Sequence, residues 1–481
     1  MRTLSLRDPS GCVFTLNGQI LRALGRTYEP HYRQLMQSGL YQVLTERNLL
    51  IPHEEIENVR ELNVEMIPSV TPRTESQGFW LRSRIIKPER IPFISYPYEW
   101  CFGQLKDAAL ATLEVQRVAL QHGMSLKDAS AYNIQFYKGQ PLLIDTGSFE
   151  TYLEGAPWIA YSQFIRHFLA PLAVMSLCSL EMNKLLLCYP DGLPLELTTE
   201  LLPWKTWLNP SLVTHLIGSN FARRAHLQKK STGKITSDPA PKIRMPRAHL
   251  FALLDDLTST IENLKIKAKQ TEWNNYYQDN SYTEESAADK RATVVRFLDT
   301  LNPSTVWDVG ANNGYFSKLS AERGALTISM DADIRCVEDN YQNQKKAGFA
   351  NLLPLVVDMT VPPPPSGWSN KERMDLPSRG PADVTLALAL VHHLAIAQNI
   401  PLKEIAACIA GFGQHLIIEF VPKNDVQVQR LLAHRQDIFE KYTQQKFEDY
   451  FSRYFKIDEQ HSIPGCDRVL YRMSKLAPTA T

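Results

Sequence analysis

Residues 306–316 read Val306-Trp307-Asp308-Val309-Gly310-Ala311-Asn312-Asn313-Gly314-Tyr315-Phe316. A short apolar run leads into an acid, then Gly-x-x-x-Gly, then a segment suited to a helix. This is the order of the turn between first strand and first helix in a doubly wound α/β sheet, where a nucleoside-type ligand lies beyond the strand's carboxyl end. Gly310 lets the chain reverse tightly, and Gly314 is expected to let a ligand approach the backbone. The spacing departs from the dinucleotide fingerprint Gly-x-Gly-x-x-Gly, so the ligand class turns on the residues beyond Phe316.

Four further strands come after this turn. Ala325 to Met330 ends in Asp331 and Asp333, and an acid about 20 residues past the glycines is placed to hold both ribose hydroxyls. Leu353 to Val357 ends in Asp358-Met359. Asp383 to Leu388 runs into Ala389-Leu390-Val391-His392-His393-Leu394, and His415 to Phe420 carries Glu419 near its end. All these polar groups fall at strand carboxyl ends, where open α/β sheets bind ligands.

Taken together with Asp308-x-Gly310-x-x-x-Gly314, the set resembles the class I S-adenosylmethionine-dependent methyltransferases over about residues 270–475. The resemblance implies a Rossmann-like doubly wound sheet with S-adenosylmethionine as cofactor. Asp308, Gly310, Asn312 and Gly314 would form its first motif, Asp331 would take the ribose, Asp358 and Met359 would meet the adenine, and Ala389 would also contact the cofactor. Upstream lie Trp273, Tyr276, Tyr277, Tyr282 and Lys290. A helix with Trp273, Tyr276 and Tyr277 on nearby turns would close over the cofactor, stacking on adenine or facing the sulfonium cation. Core packing of an amphipathic helix explains them equally well. His393, and less strongly His392, are candidate general bases, since histidine titrates near neutrality; a structural histidine at the sheet edge is the alternative. The Asn/Asp-Pro-Pro-Tyr/Phe signature is missing after the fourth strand, which argues against DNA-adenine and glutamine-amide methyltransferases.

At 481 residues the chain is long enough for two or three domains. Its 52 basic and 51 acidic residues nearly cancel, so no global field points to nucleic acid or membrane; a small-molecule or glycan acceptor is favoured over nucleic acid. The seven cysteines are scattered with no Cys-x-x-Cys, as in mostly buried, reduced thiols of a cytoplasmic protein without a zinc site. The N-terminus has no signal-peptide core, and the apolar run Phe168 to Leu180 is too short to span a bilayer. The polar, basic, proline-bearing stretch 229–247 marks a break. His249 to Lys269 then reads as a helix with Leu250, Leu253, Leu254, Leu257, Ile261 and Leu264 on one face. The expected organisation is a domain over 1–228, a linker and connecting helix over 229–265, and the methyltransferase domain over 266–476. Val361 to Pro381, with four consecutive prolines, is an irregular insertion near the cofactor edge.

The first half holds a second constellation. Met124 to Phe136 contains Asp128 and Asn133, and Leu142-Leu143-Ile144-Asp145-Thr146-Gly147 lies just beyond. An acid, an asparagine five residues on and an Ile-Asp twelve residues later resemble the catalytic loop and metal-binding acid of protein-kinase-like phosphotransferases. The resemblance implies an α+β kinase-like domain in which Asn133 and Asp145 share Mg²⁺ on ATP phosphates and Asp128 accepts a hydroxyl proton. Gln104 to Gln121 suits the helix beneath such a loop, and Asp8 to Arg22 reads as a hairpin turning at Asn17-Gly18, which would be the nucleotide-covering lobe. The glycine-rich loop is missing, Arg22 stands at the lysine position, and Leu126-Lys127-Asp128 replaces His-Arg-Asp. Asp128 and Asn133 as ordinary loop-capping residues remain an alternative. Tyr96-Pro97-Tyr98-Glu99-Trp100 and Glu154 to Trp158 suit either an acceptor pocket or packing.

Through Tyr96-Pro97-Tyr98-Glu99-Trp100, Leu126-Lys127-Asp128-Ala129-Ser130-x-x-Asn133 and Trp273-x-x-Tyr276, the whole chain resembles a group of bacterial two-part methyltransferases, some named from nodulation loci. Three readings stand: a methyltransferase with a degenerate kinase-like accessory domain, a bifunctional kinase-methyltransferase acting on one acceptor, and a non-catalytic adaptor binding nucleosides.

Overall fold

The computed structural model describes residues 2–3, 10–56, 84–218, 244–266, 282–433 and 435–477. It divides into two compact units, Met1–Lys267 with Pro365–Arg373, and Ala268–Pro364 with Met374–Thr481.

The first unit opens with strands β1 (Arg2–Thr3), β2 (Gly11–Leu16) and β3 (Gln19–Leu24). Asn17 and Gly18 both adopt positive φ, 50° and 76°, as the two-residue turn of a tight hairpin requires. Helices α1 (Glu29–Gln37) and α2 (Leu40–Glu46) come next, then β4 (His53–Ile56) and β5 (Arg84–Pro88). The strands form an antiparallel sheet in the order β1-β2-β3-β5-β4. Cys12, Phe14, Leu21, Ala23 and Ile85 alternate onto its buried face.

Helix α3 (Phe102–Gln121), expected over Gln104 to Gln121, is buried along most of its length. It leads into β6 (Met124–Leu126), β7 (Ile134–Tyr137), β8 (Gln140–Leu143) and β9 (Phe149–Thr151). β6 pairs with β9 and β7 with β8, which brings the Asp128 loop beside the Asp145 loop.

Helix α4 (Arg247–Asn263) buries Leu250, Leu254, Leu257 and Ile261. The apolar pattern predicts that it runs to Lys269 and connects two domains. Instead Leu264 is extended, and α4 packs against α3 within the first unit. Lys106 Nζ donates to the carbonyls of Glu262 and Leu264 at 2.8 and 3.0 Å, pinning the end of α4. The expected linker lies largely outside the described residues, as do Trp273, Tyr276 and Tyr277.

The second unit contains α5 (Glu284–Leu301), β10 (Thr305–Val309), α6 (Tyr315–Ala321), β11 (Leu326–Asp331), α7 (Ile334–Ala347), β12 (Leu352–Val356), β13 (Ala382–Ala387), α8 (Leu402–Ile409), β14 (Gly413–Phe420), α9 (Val426–Leu432), α10 (Gln444–Phe451), β15 (Phe455–Ser462) and β16 (Val469–Lys475). Its sheet runs β12-β11-β10-β13-β14-β16-β15. The first five positions are parallel, and β16 is antiparallel to both neighbours. The doubly wound expectation holds, and the order reverses beside β10, the topological switch at which such sheets bind ligands. All five strands expected from the sequence are present within a residue or two of their expected starts; the closing β15–β16 hairpin had no sequence signal.

The insertion after β12 leaves the second unit, and Pro365–Arg373 is part of the first. There the Arg373 guanidinium lies 4.0 Å from the centre of the Tyr132 ring. Among the described residues, no helix is long and apolar enough to cross a membrane. Of the cysteines, Cys12, Cys101 and Cys336 are buried whereas Cys188 and Cys408 are exposed, so the expectation of mostly buried thiols holds only in part.

Candidate functional site

The site begins at the end of β10, where Val306, Trp307 and Val309 are buried and parallel pairing sets Asp308 opposite Ser329 of β11 and Leu386 of β13. The chain reverses at Gly310, φ 76°. A Cβ there would stand 2.9 Å from Leu390 Cδ1, so the positive φ favours glycine, and a side chain would also push the end of Leu390 aside. Asn312, φ 52°, donates its backbone N–H to Asp331 Oδ2 at 2.7 Å. Asp331 Oδ1 accepts the N–H of Asp333 at 2.8 Å, so the carboxylate ties two loops together.

Asp308 Oδ2 accepts from Ser317 Oγ at 2.6 Å, and Ser317 Oγ lies 2.8 Å from Ser329 Oγ. Asn340 Nδ2 donates to Ser329 Oγ at 2.8 Å, completing a buried polar chain under the loop. Gly314 serves this chain. Its φ is 80°, and an added Cβ would collide with the Asn340 amide. It is not on the cavity wall, so the expectation that it opens the backbone to a ligand is corrected: its bare Cα makes room for Asn340.

A cavity of about 660 Å³ opens at these strand ends, within the usual range for small-molecule sites. Asp308, Gly310, Asn312 and Asp331 line one side of it. Asp358, Met359, Ala389, His393 and Tyr282 line the rest. Ala389 holds φ 51°, a left-handed conformation that a non-glycine residue adopts mainly where the surroundings impose it. Burial raises Asp308 to about 7, with the Ser317 hydrogen bond opposing it. Burial likewise lifts Asp331 to about 6 against the backbone N–H groups it accepts.

The two histidines separate. His393 faces the cavity; burial, aided by the Arg468 charge, lowers it to about 4. It is therefore neutral at pH 7 and able to accept a proton. His392 is fully buried and absent from the wall, and among the described residues neither of its ring nitrogens has a hydrogen-bond partner. Its ring packs 4.1 Å from that of His393, which corrects its candidacy as a base to a packing position.

Tyr282 and Lys290 on the wall belong to a charged cluster whose pairing sequence reasoning missed. Lys290 Nζ lies 2.6 Å from Glu419 Oε2 and donates to Tyr282 Oη at 3.1 Å. Tyr282 donates to Glu419, while Arg468 donates to Tyr282 Oη at 3.0 Å and grips Asp425 at 2.8 and 3.1 Å. Burial alone would raise Glu419, but Lys290 and Arg468 outweigh it and hold the carboxyl below its ordinary range. Lys290 and Tyr282 are 8 residues apart, but Glu419 is 129 residues from Lys290 and Arg468 is 186 from Tyr282, so local spacing carries no signal for the cluster as a whole.

In the first unit Asp128, Asn133 and Asp145 converge. Asp145 accepts the Gly147 N–H at 2.9 Å and the Ser148 hydroxyl at 2.6 Å. Asn133 Nδ2 donates to Ser148 Oγ at 3.2 Å. Burial raises Asp128, and the nearby Asp145 charge adds to it. Arg22, buried on β3, forms an ion pair with Asp145. Among the described residues, no group of three or more His, Cys, Asp and Glu is arranged to hold a metal. Tyr98, Glu99 and Trp100 are buried, and Trp100 donates to Ser95 Oγ at 3.0 Å, so that segment packs the interior.

A doubly wound sheet with its switch beside β10, an acid at or just past the end of each of its first three strands and a cavity across those ends define a Rossmann-like domain built to take a nucleoside-type ligand. The chain belongs to the family of nodulation protein NoeA: it is 33% identical to NoeA of Rhizobium meliloti (strain 1021) over 473 residues, 98% of this chain and 95% of that protein. No protein-family model matches it. Among solved structures, the N-methyltransferase NodS of Bradyrhizobium japonicum WM9 is 12% identical with a TM-score of 0.31, covering 40% of this chain and 98% of its own. Magnesium protoporphyrin IX methyltransferase of Synechocystis PCC 6803, with bound S-adenosylhomocysteine, is 19% identical with a TM-score of 0.30, covering 42% and 92%. The bifunctional kinase-methyltransferase WbdD is 16% identical with a TM-score of 0.28, covering 40% of each chain. At these scores the family membership rests on the sequence relative alone.

Proposed function

We propose that the second unit binds S-adenosylmethionine and transfers its methyl group to a small-molecule or glycan acceptor. The observation that carries this reading is the meeting of Asp308, Asp331, Asp358 and His393 on one cavity wall. The donor set fits the cofactor: carboxylates suit its ammonium and sulfonium charges, and Asp331 at the second strand's end suits two ribose hydroxyls. Asp358 and Met359 would meet the adenine, and Asn312 and Ala389 would shape the backbone around it. The bound cofactor supplies an activated methyl group, so the protein's task is alignment and exclusion of water. Neutral His393 is placed to take a proton from a hydroxyl or amine acceptor. Titration calorimetry with S-adenosylhomocysteine tests the reading: binding by the wild type, lost in Asp308→Ala, supports it, and unchanged affinity in the variant sinks it.

For the first unit we favour a kinase-like accessory domain that does not transfer phosphate. Asp128, Asn133 and Asp145 meet as phosphotransfer would require. Arg22, however, already neutralises Asp145, the group that would hold Mg²⁺. The bifunctional reading keeps the support of the three converging groups. Saturable, magnesium-dependent ATP binding that disappears in Asp145→Ala would establish it over ours.

A further inference from the structure

The cavity wall is electrically one-sided. Glu284, Asp308, Asp331, Asp333 and Asp358 line it, and Lys290 is the one lysine or arginine among the described lining residues. The carboxylates suit a ligand with positive groups. S-adenosylmethionine also has one anionic group, the carboxylate of its amino-acid end, which needs a cation if it is to be buried beside acids.

We propose that Lys290 holds that carboxylate and so makes the site selective for nucleosides bearing the amino-acid tail, a deepening that rests on the cofactor reading above. Position supports it. Lys290 lies in α5, its ammonium is 5.2 Å from the centre of the Phe316 ring, and Phe316 is in the first turn of α6, just past the loop that follows Asp308 and β10. The amino-acid tail would then lie between Asp308, facing its ammonium, and Lys290, facing its carboxylate. Donor count supports it too. An ammonium has three N–H groups; the contacts to Glu419 and Tyr282 use two. Among the described residues the third has no further hydrogen-bond partner, which leaves it for a ligand in the cavity that Lys290 lines.

The cluster behind Lys290 explains how a buried ammonium stays charged and fixed. Glu419 is its counter-ion, Tyr282 caps both, and Arg468, anchored on Asp425, prevents Glu419 from withdrawing. Lys290 sits 4.9 Å from the centre of the Tyr282 ring and Arg468 4.5 Å. Tyr282, Glu419 and Arg468 are thus positioning residues, acting through Lys290.

The test compares two ligands differing in the tail alone. S-adenosylhomocysteine carries it, and 5′-methylthioadenosine has the same nucleoside and thioether without it. Each is titrated calorimetrically into the full-length wild type, into Lys290→Met, and into Lys290→Met/Glu419→Gln, which avoids a buried unpaired carboxylate. The expected result is a loss of about tenfold to a hundredfold in S-adenosylhomocysteine affinity, as for a lost charge-assisted hydrogen bond. Methylthioadenosine affinity should stay within about twofold in the double variant. An unchanged ratio of the two affinities overturns the assignment. So does equal weakening of both ligands, which would make Lys290 a structural cation. Failure of the wild type to bind either ligand overturns the cofactor reading itself, and this inference with it.

Discussion

Asp331 accepts the backbone N–H of Asn312 at 2.7 Å, so the acid at the end of the second strand also sets the loop at the end of the first. Its two proposed duties are separable. Asp331→Asn keeps an oxygen for the loop but loses the charge that favours ribose hydroxyls; Asp331→Ala loses both. We expect S-adenosylhomocysteine affinity to fall about tenfold in the first and by about a further tenfold in the second, at ~1.4 kcal/mol per decade. Calorimetry gives affinity, and thermal denaturation without ligand shows the loop's share. Equal affinity in wild type and Asp331→Asn would remove the ribose role.

Asp308 predicts a pH dependence whose sign is fixed by its burial. The carboxyl is raised to about 7, so in the ligand-free protein it is largely protonated at pH 6. A bound ammonium favours the ionised form. Affinity should therefore rise with pH through about 7 and level off above it, with up to one proton released per ligand below that point. Stability without ligand runs the opposite way. The folded state holds a proton that the unfolded chain loses near pH 4, so the melting temperature should fall between about pH 4 and 7. Asp308→Asn should flatten both profiles; a wild-type affinity that is flat from pH 5.5 to 8 would refute the assignment.

Much of this site was legible because its residues are local to strand ends. Asp308, Asp331, Asp358 and His393 each lie just past an apolar run, and one sheet topology brings those ends together, so finding the strands found the acids. What was hidden needed the third dimension. Gly314 carries a motif spacing but answers to Asn340, 26 residues away on a neighbouring helix. Arg468 lies in the turn of the β15–β16 hairpin and Asp425 at the start of α9, and nothing in their own neighbourhoods marks Arg468 as a partner of Tyr282 or Asp425 as its anchor. The insertion after β12 was visible as a proline run, but sequence pattern does not say with which unit such a segment packs.

The ion pair between Arg22 and Asp145 predicts a cost for breaking it. Both side chains are mostly buried, 8% and 15% exposed, and removing one partner leaves a buried charge unmatched. Arg22→Ala should destabilise the protein by about 3 kcal/mol, and Arg22→Ala/Asp145→Ala should be milder than the sum of the single changes. Denaturant unfolding of the four proteins closes the cycle. Additive losses would mean that the pair carries no coupling and that Arg22 does not latch this site.

His393, neutral above about pH 5 because burial lowers it to about 4, is expected to add no titration near pH 6.5 to the rate profile. His393→Ala should lower kcat by about 10²-fold or more for a hydroxyl acceptor, with KM for the cofactor little changed. Methyl incorporation from labelled S-adenosylmethionine into a panel of hydroxyl- and amine-bearing sugars and aromatics measures it. An undiminished kcat on hydroxyl acceptors would leave His393 as part of the wall alone.

Gly314 offers the sharpest separation of folding from binding. Any side chain there meets the Asn340 amide and must also hold φ near 80°. Gly314→Ala should therefore cost about 1–3 kcal/mol from the strained backbone alone. It should also strain the Asn340 bond to Ser329, on which the Ser317 and Asp308 hydrogen bond depends. Because Gly314 is not on the cavity wall, cofactor affinity in the folded fraction should change less than for Gly310→Ala, whose new methyl group would press on Leu390, a wall residue. Gly314→Ala/Asn340→Ala relieves the collision and should recover part of the lost stability. If Gly314→Ala instead melts like the wild type but binds S-adenosylhomocysteine about tenfold more weakly, the glycine faces the ligand after all, and the packing role derived from Asn340 is wrong.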